Sequence, residues 1–237
     1  MFLSPFVQQS GDEFSFSGAQ ASCFAKQIAM DFNPIHDEDS KRFCVPGDLL
    51  FAYLLSQYGL TEGLTCRFDG MVSANVLLHF VCEDDTVKIV DQNGKVYLSL
   101  SQRGTRHHSC QFIEQLVKDY VRFSGMNFPH ILQPLMKQHQ LMINPQRPLV
   151  IYQSMALEFS RFSEHCPTLH LTDSQLSIEG KRGNVRLQFE LREGDEVIGN
   201  GEKRMILSNL VPYDEVQMQG MVDFYNERKN TMGAVKP

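Results

Sequence analysis

The chain lacks several features that mark common classes of protein. No window approaches the roughly 18 consecutive apolar residues of a membrane helix. The first residues have neither the basic start nor the long apolar run of a signal peptide. Acidic residues outnumber basic ones by 28 to 22, giving a formal net charge of −6, which disfavours broad binding to nucleic-acid phosphates. We therefore expect a cytoplasmic protein with no membrane or nucleic-acid partner.

The sequence also lacks the short cysteine and glycine motifs of metal and nucleotide sites. Its six cysteines are scattered and contain no C-x-x-C pair, so structural zinc or a redox dithiol is not expected. No G-x-x-x-x-G-K-[ST] phosphate loop is present either. We expect no metal, and reduced thiols at Cys23, Cys44, Cys66, Cys82, Cys110 and Cys166.

What is present is a repeated order of elements in a chain long enough to bury a core. Residues 48–60 are too densely apolar for a surface helix and predict a buried one. Strand-like runs follow, with Asn93-Gly94 as a hairpin turn between the last two. In this half we predict strands over residues 71–81, 86–90 and 95–102.

The second half repeats this pattern. Residues 112–142 predict helices interrupted at Pro129 and Pro134. The predicted strands after them cover residues 150–162, 168–180, 185–193 and 196–209, and a terminal helix covers 216–229. The order predicts an α+β fold in which each of two long helices is wrapped by an antiparallel sheet. We place the halves at 1–108 and 109–237, and expect their sheets to pair edge to edge.

A possible reactive constellation lies in the string DFNPIH, residues 31–36. Pro34 restricts Asn33 to an extended conformation, and the Asn33 side chain can lock the turn. Such a turn can aim Asp31 and His36 at one point, where a carboxylate and an imidazole could take a proton from a water molecule and orient it. The same string also suits an Asp- and Asn-rich turn that begins a helix.

The start of the buried helix offers a partner for this pair. Val45-Pro46-Gly47-Asp48 opens the helix, and a helix N-terminus presents backbone N–H groups that can hold a developing oxyanion. Gly47 would allow a ligand oxygen to approach the backbone closely.

The D-x-N-P-I-H string, followed by F-x-V-P-G-x-L-L, resembles the MaoC-like hydratase/dehydratase family. The resemblance covers roughly residues 20–60 at motif level, and implies a double hotdog fold for the chain. It implies that Asp31 and His36 are the catalytic pair, that Asn33 positions the turn or the water, and that the Gly47 amide holds the thioester oxygen.

The resemblance also implies a lyase of fatty acid metabolism that reversibly hydrates 2-enoyl thioesters. Coenzyme A or acyl carrier protein would carry the substrate, with no other cofactor. The second half has no such string and would shape the acyl pocket of a monomeric pseudo-dimer or a homodimer. The acyl group would bind along Pro46, Leu49, Leu50, Tyr53 and Leu54.

Three residues near the motif leave other functions open. Met30 stands where the family usually has Gly, Pro46 where it often has His, and Asp48 follows the helix-opening Gly. An inward Asp48 would place negative charge near the expected oxyanion. The alternatives are a non-catalytic acyl-thioester-binding or regulatory protein and, as a further possibility, a thioesterase.

Overall fold

A computed structural model describes residues 2–163, 165 and 167–232. Cys166, one of the six cysteines predicted to be reduced, lies outside this part. The other five, Cys23, Cys44, Cys66, Cys82 and Cys110, carry free thiols. Among the described residues, no helix combines the length and apolar character needed to cross a membrane.

Among its described residues, the first half contains two α-helices and six strands. Its helices are α1 (Gly18–Gln27) and α2 (Gly47–Tyr58). Its strands are β1 (Gln8–Ser10), β2 (Glu13–Ser15), β3 (Leu60–Phe68), β4 (Leu78–Glu83), β5 (Thr86–Asp91) and β6 (Val96–His107).

The part of the second half that the structure describes contains four helices and six strands. Its helices are α3 (Cys110–Gly125), α4 (Asn127–His130), α5 (Leu132–Gln138) and α6 (Glu215–Met232). Its strands are β7 (Leu141–Met142), β8 (Val150–Phe159), β9 (Thr168–Glu179), β10 (Arg182–Glu193), β11 (Glu196–Leu207) and β12 (Val211–Pro212).

One ten-stranded antiparallel sheet runs through both halves in the order β1-β2-β4-β5-β6-β3-β8-β11-β10-β9. Around α2 the order β3-β6-β5-β4 matches β8-β11-β10-β9 around α3, so the second half repeats the topology of the first. The two halves meet where β3 pairs with β8, for example Thr65 opposite Ala156. The fold is therefore a double hotdog, as predicted, and the expected edge-to-edge pairing is confirmed.

The two long helices pack side by side on one face of this sheet. Every residue of α2 from Asp48 to Leu55 is buried, and Gly59, with φ of +78°, follows its end. Helix α3 instead buries a stripe that includes Val117, Tyr120 and Ser124. The rings of Phe51 and Tyr120 meet edge to face at 5.4 Å, which joins the helices.

The predicted strand over residues 71–81 is wrong for most of its length. Residues 71–77 form a connection in which the Val72 carbonyl accepts a hydrogen bond from the Val45 N–H and Asn75 adopts φ of +60°. Strand β4 begins only at Leu78. This connection fixes the segment that leads into α2.

The sequence pattern also failed to predict β3, the strand that joins the halves. Its alternation is broken by a register shift between Thr61 and Gly63, so the period of two is lost over its first residues. The other predicted strands are present with small changes at their ends, including the hairpin at Gly94, where φ is +78°.

Candidate functional site

A short turn between α1 and α2 carries Asp31 and His36. The Asn33 side chain accepts a hydrogen bond from the Ile35 N–H at 3.2 Å, and it caps a single 3₁₀ turn, Pro34–His36. Asp31 Oδ1 accepts a bond from the Asn33 N–H at 2.9 Å. Local hydrogen bonds of this kind shape the turn, and they leave Asp31 Oδ2 free to point elsewhere.

The orientation of His36 is set by a backbone carbonyl. Its Nδ1 lies 2.7 Å from the Cys44 carbonyl oxygen. Since a carbonyl only accepts, Nδ1 carries the proton and a neutral His36 presents Nε2 as an acceptor. The neighbouring Cys44 thiol is no nucleophile here, because burial raises its pKa to about 11.

Asp31 and His36 converge as the motif predicts. The Nε2 atom of His36 lies 3.5 Å from Asp31 Oδ2, and the side chains are only 13% and 22% exposed. This separation is longer than a direct hydrogen bond. Two acceptors that face each other at this distance can share one water or hydroxyl group, so the pair can take a proton from a bound oxygen and orient it.

The end of α3 supports this turn from one side. A Cβ added to Gly125 would lie 2.0 Å from the Ala29 carbonyl oxygen and 3.0 Å from the Asp31 nitrogen. Only glycine allows this approach. Between them, Met30 adopts φ of +55°, a left-handed conformation that favours glycine. The backbone before Asp31 thus keeps a glycine-like conformation although its residue is methionine.

Helix α6 holds the same turn from the other side. The Tyr225 hydroxyl lies within donating distance of the Met30 and Gly125 carbonyl oxygens, at 3.1 and 3.2 Å. Arg228 donates to the Phe32 carbonyl at 2.8 Å and to Asp37 at 2.6 Å. Asp31 and His36 are therefore held between two helices.

The start of α2 faces the turn but is more crowded than the sequence suggested. A Cβ on Gly47 would lie 2.9 Å from two atoms of the Phe68 ring, closer than side chains normally pack. Phe68 stacks on Tyr152 at a centroid separation of 4.0 Å. The small residue at 47 is thus required by Phe68. Its amide, like that of Asp48, still lies in the first turn, where N–H groups have no acceptor within the helix.

Three polar side chains that the sequence analysis did not group together meet beside Gly47. Asp48 is only 7% exposed, and its Oδ2 accepts a hydrogen bond from the Ser124 hydroxyl at 2.5 Å. Lys203 of β11, only 2% exposed, donates to the same hydroxyl at 2.5 Å. The Lys203 ammonium also lies over the Tyr152 ring, 4.3 Å from its centroid.

The residues predicted to bind the acyl chain lie in the closed core. Leu49, Leu50, Tyr53 and Leu54 are at most 2% exposed, and Pro46 is also buried. Tyr53 packs against Phe14 at 4.7 Å. A cavity of about 680 Å³ lies elsewhere, between α5 and the second-half sheet, where Gln138, Gln153 and Arg204 line it. An acyl chain beside α2 would have to displace core side chains.

The sequence family follows from a match that covers most of the chain. A family model described as "Protein of unknown function (DUF3581)" matches residues 1–216. The chain belongs to the DUF3581 family. No curated protein matches it in sequence. The DUF3581 match contains Asp31, His36, Asp48, Ser124 and Lys203, whereas Tyr225 and Arg228 lie beyond it.

Several solved structures resemble the DUF3581 chain at low identity. A conserved protein of unknown function with hot dog fold from Alicyclobacillus acidocaldarius is 9% identical, with a TM-score of 0.49 and coverage of 90% of this chain and 98% of that one. The acyl-CoA thioesterase II TesB2 from Mycobacterium marinum is 13% identical, with a TM-score of 0.44 and coverage of 90% and 100%. A MaoC-like dehydratase is 8% identical, with a TM-score of 0.42 and coverage of 88% and 99%. The double hotdog assignment rests on the strand order described above.

A metal site is not evident in the described part of the chain, where no group of three or more His, Cys, Asp or Glu residues could hold an ion. The ionisable side chains at this site are those of Asp31, His36, Asp48 and Lys203. These groups interact, since Asp31 and His36 both act electrostatically on Asp48.

Proposed function

We propose that this protein is a hydratase/dehydratase that adds water reversibly to the double bond of a trans-2-enoyl thioester. The observation that carries the proposal is the convergence of His36 Nε2 and Asp31 Oδ2 at 3.5 Å on a locked, largely buried turn beside the start of α2. Coenzyme A or acyl carrier protein would carry the acyl group, and the thioester oxygen would lie near the Gly47 amide.

The proposed reaction uses the pair as an acid–base unit. Asp31 and His36 hold a water molecule, and one of them takes a proton from it as its oxygen bonds to C3 of the enoyl group. The electrons of the double bond move toward the thioester carbonyl, which becomes an enolate. The enolate then receives the proton at C2, so that one water has been added and the thioester remains intact.

Several features of the site support an acid–base role over a purely structural turn. The backbone conformation before Asp31 is one that methionine rarely adopts, and such strain is concentrated at functional sites. Two helices also hold the turn in place, which suits a reaction that needs well-fixed groups.

The test is a kinetic assay of enoyl-CoA hydration by the full chain and its variants. Asp31→Asn and His36→Gln should each reduce kcat by about 100-fold or more, since general acid–base catalysis contributes about 10²–10⁴-fold. Asp39→Asn is the matched control, because Asp39 is an exposed acid of the same loop, and it should keep full activity. Unchanged rates in the Asp31 and His36 variants would contradict the proposal.

The same assay separates the other functions. A thioesterase would release free thiol, whereas hydration leaves the thioester intact. A non-catalytic acyl-thioester-binding or regulatory protein would bind acyl-CoA in calorimetry without consuming it. The inward position of Asp48 is the observation that favours this last alternative, since a carboxylate there opposes a developing oxyanion.

A further inference from the structure

The carboxyl group of Asp48 has one oxygen that is held and one that is free. Ser124 Oγ donates to Asp48 Oδ2, and Lys203 Nζ donates to Ser124 Oγ, so a chain of hydrogen bonds across the two halves holds the first oxygen. Among the described residues, the second oxygen, Asp48 Oδ1, is buried and has no hydrogen-bond partner. A buried carboxyl oxygen left in this way is rare and needs an explanation.

The groups around Asp48 act on its charge in opposite directions. Lys203 on β11, the Ser124 hydroxyl on α3 and His36 on the turn favour the carboxylate, whereas Asp31 on the turn opposes it. Burial has the largest effect and raises the pKa of Asp48 above its usual value. A carboxylate whose pKa is raised is a stronger base than an ordinary one. Since Oδ2 already accepts from Ser124, Oδ1 is the oxygen that can take up a proton.

The other ionisable side chains that interact with Asp48 do not compete with it as bases. Tyr120 on α3 and Cys66 on β3 stay neutral, because burial raises the pKa of both well above their usual values. Burial lowers the pKa of Lys203 to about 8, so its ammonium is still mostly charged at neutral pH. Lys203 therefore compensates the Asp48 carboxylate.

We propose that Asp48 is a carbon base, through which this protein also isomerises 3-enoyl thioesters to 2-enoyl thioesters. Asp48 Oδ1 removes a proton from C2, and the electrons of that C–H bond form a dienolate with the thioester carbonyl. The proton then returns from Oδ1 to C4, and the double bond comes to lie between C2 and C3. No other reactant is consumed. The inference rests on the thioester site of the proposed function, and its product is the compound that hydration consumes.

The position of Asp48 directly after Gly47 suits this proton transfer. In the proposed site the Gly47 amide holds the thioester oxygen, and C2 is bonded to the same carbonyl carbon, so C2 lies beside the next residue of the helix. Only one carbon separates C2 from C4, so one carboxyl oxygen can serve both. The acyl group must be short, because Leu49 and Leu50 are closed in the core.

The transfer also removes the conflict between Asp48 and an oxyanion. Asp48 loses its negative charge in the same step in which the thioester oxygen gains one, so the two anions do not coexist. Lys203 stays charged, and the net charge of the buried site is unchanged, which avoids the cost of burying an additional unpaired charge. In this role Asp48 contacts the substrate, and Lys203 is a positioning residue that acts through Ser124.

Nuclear magnetic resonance of 3-butenoyl-CoA incubated with the full chain measures the isomerisation. Wild type should convert it to 2-butenoyl-CoA and the hydration product of that compound. Asp48→Asn keeps the shape of the side chain but cannot take up the proton, so it should lower kcat by about 10²–10⁴-fold. Asp39→Asn, at an exposed position, is the control and should keep full activity. A wild-type protein that leaves 3-butenoyl-CoA unchanged, or an Asp48→Asn variant as fast as wild type, would overturn the proposal.

A deuterium label tests the single buried base in the wild-type protein, so this arm does not depend on whether Asp48→Asn folds. In ordinary water, 3-butenoyl-CoA labelled with deuterium at C2 should give a product in which part of the deuterium has moved to C4, because Asp48 Oδ1 is shielded from solvent. A product whose new C4 hydrogen comes entirely from water would overturn the proposal.

Lys203→Met tests the positioning role through the pH dependence of the isomerisation. In wild type, kcat/KM should rise with pH as Asp48 loses its proton. Without Lys203 the carboxylate lacks its compensating charge, so the pKa of Asp48 should rise further and the rise in kcat/KM should move to higher pH. A lower rate with an unchanged pH dependence would show that Lys203 acts on packing alone, and would overturn its assigned role.

The two activities can fail separately. If wild type isomerises 3-butenoyl-CoA but does not hydrate 2-butenoyl-CoA, the assignment of Asp48 stands and the proposed hydration fails. If wild type hydrates without isomerising, the proposed function stands and the present inference is overturned. Isomerisation that is lost in Asp31→Asn but kept in Asp48→Asn would assign the base to the Asp31 and His36 pair, and would also overturn it.

Discussion

At the scale of single residues, the site depends on a few positions where the neighbouring atoms leave no room for a different residue. Gly125 is the clearest case, since a Cβ there would overlap the Ala29 carbonyl oxygen at 2.0 Å. Gly220 on α6 is a matched helical glycine, and a Cβ there would meet nothing within 4 Å. Substitution of Gly220 by alanine measures only the preference of a helix for alanine. The same substitution at Gly125 adds the effect of the close contact with the turn.

Gly125→Ala should lower the free energy of unfolding by about 1–3 kcal/mol, the usual cost of overpacking, and should lower kcat as the turn moves. Gly220→Ala should instead raise the free energy of unfolding by about 0.5–1 kcal/mol, because alanine is the better helix former. Urea denaturation of both variants measures these changes. A Gly125→Ala variant as stable as Gly220→Ala would contradict the described contact.

Lys203 should also leave a signature in the pH dependence of stability. Its pKa is about 8 in the folded protein and ordinarily 10.5, so the folded state binds fewer protons than the unfolded state between these values. The free energy of unfolding should therefore rise with pH across this window. Below pH 8 Lys203 is charged in the folded protein, and its burial then destabilises the fold by the full amount. The rise should be on the order of 3 kcal/mol.

The measurement compares wild type with Lys203→Met, since tyrosines and cysteines also titrate in this range. Between pH 8 and pH 10.5, the unfolding free energy of wild type should rise relative to that of Lys203→Met. A constant difference would show that the Lys203 cation is not destabilised by burial.

At the scale of elements, α6 fixes the turn through only a few contacts. Met218 and Tyr225 are its buried residues, and Arg228, 12% exposed, bonds Asp37, which Lys26 also contacts at 2.6 Å. Removing Arg228 should therefore loosen the turn while Asp37 keeps one cation. Burial raises the pKa of Tyr225, so its hydroxyl stays a donor at neutral pH.

Arg228→Ala and Tyr225→Phe should each lower kcat by roughly tenfold or more, because small displacements of reacting groups have large kinetic effects. The unfolding free energy should fall by about 1–3 kcal/mol for Arg228→Ala. Asn226→Ala, at an exposed position of the same helix, is the control; it should keep kcat, and it should not lower the unfolding free energy, because alanine is the better helix former. Full activity in both variants would mean that the turn holds its conformation without α6.

The elements also show which parts of the site local sequence can predict. Asp31, Asn33 and His36 lie within six residues, and hydrogen bonds within the turn involve Asp31 and Asn33, so the motif alone brought the three residues together. Ser124 and Lys203 come from distant elements, and the sequence analysis missed them. A signal was present, because Ser124 continues the buried stripe of Tyr120 on α3, and Lys203 is in phase with the inward-facing Met205 and Leu207 on β11.

At the scale of the whole molecule, the composite site and the shared sheet bind the two halves into one unit. The order of elements predicted the double hotdog because each half places a long helix before antiparallel strands. The edge-to-edge pairing of the halves was predicted, but the strand that makes it was not, since β3 is interrupted by a register shift and its pairing with β8 is a long-range contact. The proximity of Asp48 and Lys203 was not predicted for the same reason, because it is also a contact between residues far apart in the sequence.

Unfolding should accordingly be one cooperative transition. The sequence has no tryptophan, so tyrosine fluorescence reports on the surroundings of its aromatic side chains. The urea unfolding curves from tyrosine fluorescence and from far-ultraviolet circular dichroism should coincide. Asp48→Asn should shift both curves together. Two separated transitions would mean that the halves unfold independently in spite of the shared sheet.

Nuclear magnetic resonance of a trans-2-enoyl-CoA incubated with the protein in heavy water measures hydration by Asp31 and His36. We expect a 3-hydroxyacyl thioester that carries one deuterium at C2, formed by wild type and by Asp39→Asn but not by Asp31→Asn or His36→Gln. Release of free thiol, a substrate left unchanged by wild type, or equal product from the Asp31→Asn variant would contradict hydration by this pair.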